Sequence, residues 1–84
     1  MKARVTVYPR KEILDPQGKA IQSALARVGF QEVREVRAGK SFELELGVED
    51  AQQAGDLLAS MCEKLLANTV VEDYEIELLA ADRS

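Results

Sequence analysis

The chain has 84 residues and a formal net charge of −4, which makes one domain, 1–84, with a single modest core. An acidic balance with no basic stripe argues against nucleic acid as a partner, and no apolar run reaches the ~18 residues of a membrane span. With no histidine and one cysteine, Cys62, the sequence excludes zinc centres of the usual ligand sets and Cys-His catalysis.

The N-terminus passes straight into a strand pattern with no signal-peptide core, and the lone cysteine suits a reducing compartment. A cytoplasmic location is therefore expected. Val5 and Val7 alternate with Arg4, Thr6 and Tyr8, predicting a first strand over 3–8. Pro9 closes it, because proline cannot donate to a ladder. A polar loop, Pro9-Arg10-Lys11-Glu12, follows. Asp15 then stands as a helix cap, with Pro16 at the first helical position, where its missing N–H costs nothing. Ala20, Ile21, Ala24, Leu25 and Val28 form one apolar stripe, so the first helix spans about 16–28. Gly29 and Phe30 predict a Schellman ending, with glycine in the left-handed conformation.

Residues 31–46 are the most strand-like. Val36 and Ala38 alternate with Arg37, and Phe42, Leu44 and Leu46 alternate with Glu43 and Glu45. Val33 and Val36 are three apart, which a bulge or late start accommodates. Ala38-Gly39-Lys40 is either a hairpin turn or a bend in one long strand. The turn is the reading taken, with strands over 32–37 and 41–47. A second helix over about 49–67 follows from Ala51, Ala54, Leu58, Met61 and Leu65, with Glu49 and Asp50 at its positive end. Val70-Val71 lead to a turn at Glu72-Asp73. Tyr74, Ile76 and Leu78 then alternate with Glu75 and Glu77 as the last strand, and 80–84 is expected to fray. The order β-α-β-β-α-β predicts an α+β two-layer sandwich of ferredoxin-like order: a four-stranded antiparallel sheet with both helices on one face. Its other face, with Glu43, Glu45, Glu75, Glu77 and Arg37, is either a solvated surface or a place for a partner.

No catalytic, cofactor-binding or metal residue emerges. The candidate partner-interface residues are Asp15, Pro16 and Gly18 at the first helix start, Arg37, Gly39 and Lys40 at the central loop, and Glu72, Asp73 and Tyr74 before the last strand. Gly18 is a poor helix former that capping does not explain, so it leaves the first turn uncovered, as a place to dock a partner. Two cations beside Gly39 suit an anion or a partner carboxylate, while simple solvation explains them as well. Cys62 reads as a small buried hydrophobe. The carboxylate pairs at spacing two lack the cleft that a hydrolytic site needs.

Three stretches, taken in order and spacing, resemble the PurS subunit of phosphoribosylformylglycinamidine synthase. They are Leu14-Asp15-Pro16-Gln17-Gly18; Val36-Arg37-Ala38-Gly39-Lys40 with Phe42-Glu43-Leu44; and Met61 to Asn68 followed by Val71-Glu72-Asp73-Tyr74. The resemblance implies a small assembly subunit of a purine-biosynthetic ligase that converts formylglycinamide ribonucleotide, ATP and glutamine to formylglycinamidine ribonucleotide. It implies two larger partners, a synthetase (PurL) that uses ATP and Mg, and a glutaminase (PurQ), with this chain binding no cofactor itself. It also implies a homodimer or homotetramer. Two other functions compete: a regulatory module binding a small ligand on an open sheet, and a stand-alone enzyme using paired carboxylates.

Overall fold

A computed structural model describes residues 1–79. The expected fraying of 80–84 lies outside them. The order is β1 (Lys2–Pro9), α1 (Pro16–Arg27), β2 (Lys40–Glu45), α2 (Ala51–Met61), a single π-helical turn (Cys62–Leu66) and β3 (Glu72–Leu78). The sheet is antiparallel in the order β2-β1-β3, so the first strand is the central one. Its alternation sets both faces. Ala3, Val5 and Val7 have no exposed surface. Ala3 lies between Leu44 and Leu78, Val5 between Phe42 and Ile76, and Val7 between Lys40 and Tyr74. Leu58, Cys62 and Ala67 close over this face, and Phe42, Leu44, Leu46, Met61, Leu66, Tyr74 and Ile76 pack around them.

The opposite face is polar, as the period of two requires. Arg4 stands between Glu43 and Glu77 in register and pairs with both, at 3.1 and 3.4 Å. Such exposed pairs set register more than they stabilise.

The described residues hold three strands, not the expected four: 32–37 is not a strand, and no hairpin forms at 38–40. The reason lies in where the polar backbone groups of this segment go. The Gln22 amide donates to the Val33 and Arg34 carbonyls at 3.2 and 3.1 Å, and the Asp15 carboxylate accepts the Ala38 N–H at 2.8 Å. The segment is laid along α1 instead of folding back on β2. Asp15 accordingly makes no side-chain cap bond to its own helix. The end of α1 is as read. Gly29 has φ of 109°, and the Phe30 and Gly29 N–H groups donate to the Leu25 and Ala26 carbonyls, the double bond of a Schellman motif.

The second correction concerns layers. Both helices were expected on one face, but only α2 and its π turn contribute to the buried core, and no residue of α1 joins it. Ile21, Val28 and Phe30 are exposed, the last two by 70% and 55%. The molecule measures 47 × 33 × 14 Å with a radius of gyration of 16.1 Å, against about 12 Å for a compact domain of this length. An arm made of α1 and 33–38 thus stands beside a small sandwich.

The second helix also differs from one α-helix over 49–67. Asp50 caps it by accepting the Gln53 N–H at 2.9 Å. Past Met61 the ladder widens, and the Ala67 N–H donates to the Cys62 carbonyl at 3.1 Å, the i→i+5 spacing of a π turn. The widening leaves both Cys62 and Ala67 in the core. The following turn lies at 69–71, not at Glu72-Asp73, which already belong to β3.

Candidate functional site

The three groups of candidate residues behave differently. At the start of α1, Gly18 is buried, and a Cβ there would collide with the Val36 carbonyl oxygen. Its own chain covers that first turn, so the expected free docking surface at Gly18 is not present. Glycine is there to let a backbone cross. Asp15 serves the same junction. The Ala38 hydrogen bond is the largest cause holding its carboxyl below the usual aspartate value, with weaker contributions from the nearby Gly18 and Gln17 N–H groups, neither of which forms a cap bond, because each favours the ionised form.

The third group, Glu72, Asp73 and Tyr74 at the start of β3, is also engaged within the chain. The Asn68 N–H donates to the Glu72 carboxylate at 2.7 Å, and the Tyr74 hydroxyl donates to Glu63 at 2.9 Å. Asp73 lies 3.5 Å from the Arg10 guanidinium, which also donates to the Thr69 carbonyl at 2.7 Å. These residues fasten the π turn and its loop to β1 and β3. The bond to Glu63, then desolvation, raises the Tyr74 hydroxyl above its ordinary pKa. Cys62 is buried, and that burial pushes its thiol up, away from nucleophile chemistry.

The central loop differs. Arg37, Gly39 and Lys40 line one open groove of about 620 Å³ with Thr6, Tyr8, Ser41 and Glu75. Gly39 permits this closeness, since a Cβ would sit 2.3 Å from the Val7 carbonyl oxygen and 3.1 Å from the Tyr8 Cβ. The Arg37 guanidinium lies over the Tyr8 ring, 5.0 Å from its centre, and donates to the Pro9 carbonyl at 3.1 Å. The Tyr8 hydroxyl donates to Glu75 at 3.0 Å, the largest cause of its raised pKa. Arg37 also lines a second, smaller pocket of about 300 Å³ with Asp15, Lys19 and Val36. Sequence reasoning found the cations and set Glu75 with Arg37 on the polar sheet face, but missed Thr6, Tyr8 and Ser41. Their alternation marked them as one wet face, and only the register of three strands brings them beside Arg37. Among the described residues no cluster of three or more His, Cys, Asp or Glu side chains is placed to hold a metal ion, and no helix is long and apolar enough to cross a membrane.

A family profile described as PurS, phosphoribosylformylglycinamidine (FGAM) synthase, matches residues 2–80. This chain belongs to the PurS family. The PurS subunit of Bacillus subtilis is 47% identical over 77 residues, covering 92% of this chain and 90% of that one. The Mycobacterium leprae subunit is 51% identical over 77 residues, covering 89% and 91%. Among solved structures, a B. subtilis PurS crystal form superposes with a TM-score of 0.79 at 46% identity, covering 90% of this chain and 94% of that chain. A PurS chain in the structure of PurLQS from Thermotoga maritima gives 0.82 at 37% identity, covering 92% and 95%. Within the PurS fold, two stretches that carry the resemblance, Leu14 to Gly18 and Val36 to Lys40, prove to be one structural unit. Asp15 and Gly18 of the first grip Ala38 and Val36 of the second.

Proposed function

We propose that this chain is the small, non-catalytic assembly subunit of FGAM synthase, a cytoplasmic ligase of purine biosynthesis. It brings the glutaminase and synthetase subunits together so that ammonia passes between them. The full-length match to PurS subunits, one of them solved within a PurLQS assembly, carries the reading. The surface agrees with it. Leu14, Val28, Phe30, Leu65 and Val70 are all more than half exposed, which leaves large apolar side chains available to partners. A second copy of the chain is expected among them, as homodimer or homotetramer.

ATP and Mg belong to the synthetase subunit in this reading, and no cofactor is bound here. The chain's contribution is proximity: ammonia released beside the acceptor site escapes dilution and protonation. The test is reconstitution. The isolated chain should show neither glutaminase nor ligase turnover, and it should self-associate in sedimentation. Glutamine-dependent FGAM formation should require it together with both large subunits. Full glutamine-dependent activity in its absence contradicts the proposal.

A further inference from the structure

The groove beside Arg37 has a charge pattern that the fold leaves uncompensated. Arg37 and Lys40 take part in none of the ion pairs among the described residues, in a chain whose net charge is −4. Arg37 spends one donor on the Pro9 carbonyl and lies over Tyr8. Of the five N–H groups of a guanidinium, the rest make no hydrogen bond to protein among the described residues. A guanidinium held over a ring and bonded to a carbonyl has less rotamer freedom left to lose on binding, and its fork suits a carboxylate. Lys40, in the wall of the same groove, adds a cation on a flexible stem. Glu75 shares the wall but is bonded to Tyr8. Two cations and one carboxylate leave one positive charge, which matches a single carboxylate better than a phosphate dianion, whose second charge would meet Glu75. The groove is open and contains an arginine and a tyrosine, residue types that dominate interface energetics.

We propose that the groove over the Arg37–Tyr8 stack seats an acidic side chain, Asp or Glu, of a partner subunit. The proposal rests on the assembly reading above and names the chemistry of one contact within it. Arg37 is its anchor, Tyr8 lies beneath the guanidinium, and Ser41 and Thr6 line the groove as hydroxyl donors for the incoming carboxylate. Lys40 strengthens the field and is the more dispensable cation.

The experiment measures affinity of the full chain for the mixed synthetase and glutaminase subunits by biolayer interferometry. Arg37→Ala should weaken binding by about tenfold or more, and Arg37→Lys should recover only part of the loss. Ser41→Asp keeps the stack and places a competing carboxylate in the groove, so it should weaken binding as well. The gap between wild type and Arg37→Ala should narrow as salt rises. Wild-type affinity in both Arg37→Ala and Ser41→Asp, with unchanged thermal melts, overturns this inference alone. Arg37→Ala binding as wild type while inorganic phosphate shifts the Tyr8 ring resonances of the native chain also overturns it, by making the groove a phosphate site. A wild-type chain that fails to bind the two subunits overturns the assembly reading, and this contact with it.

Discussion

The sandwich and the arm hold themselves together by different physics. In the sandwich, β1 is flanked on both sides and covered by Leu58, Cys62 and Ala67, so burial of apolar surface dominates. In the arm, α1 and 33–38 are joined by polar contacts to backbone: Asp15 with Ala38, Gln22 with Val33 and Arg34, and Val36 over Gly18. The apolar stripe of α1 meanwhile stays exposed at Ile21 and Val28. A small chain can thus complete one core by itself and leave a second apolar surface for assembly. The arm's polar joints set its shape before a partner arrives, which lowers the ordering cost of binding.

The comparison can be broken at its strongest point first. Leu58→Ala removes the largest fully buried side chain of the sandwich and should cost about 2–5 kcal/mol, read as a lower denaturant midpoint. An effect confined to a few tenths would mean the core is not where the burial places it. Next in size is Gly18→Ala. The added methyl meets the Val36 carbonyl, so the arm must shift, at a cost of about 1–3 kcal/mol. Hydrogen exchange at Ala38 should speed up while amides of Val5 stay protected. Equal loss at both would show that arm and sandwich unfold as one unit.

The smallest expected effect is acid titration of the Asp15 joint. Its folded carboxyl lies below the ordinary value, so its contribution is complete above about pH 4 and is lost as pH falls through the depressed folded value. Protection of the Ala38 amide should fade over that range, and Asp15→Asn should abolish the pH dependence. Protection at Ala38 that ignores pH in the native chain would remove Asp15 as the clasp.

Much of the sandwich was legible from pattern. The alternation of 3–8, the stripe from Ala54 to Met61 and the charged alternation of Glu75 and Glu77 each followed from the period of a half-buried element. The missed strand had a reason. Residues 32–37 carry a β-like composition, but the Val33 and Arg34 carbonyls are claimed by Gln22 and the adjoining Ala38 N–H by Asp15, side chains more than ten residues earlier. Gly18 was singled out correctly as unexplained by capping and then misread as open, because a backbone crossing over it leaves no trace in local pattern. Arg37, Gly39 and Lys40 were recognised as a cationic loop. Glu75 was set with Arg37 on the polar sheet face, but Tyr8 was not joined to them, since it sits 29 or more positions away in the chain.

What the sequence by itself determined is local and one-dimensional: the identity and periodicity of most elements, the glycine ending of α1, and the family through stretches in register. Only the tertiary structure decided which strand lies in the centre, that the arm is clasped by its own backbone, and that Arg37 lies on Tyr8. Those depend on contacts between residues distant along the chain, and hydrogen bonds across such distances are chosen by competition among all available donors and acceptors.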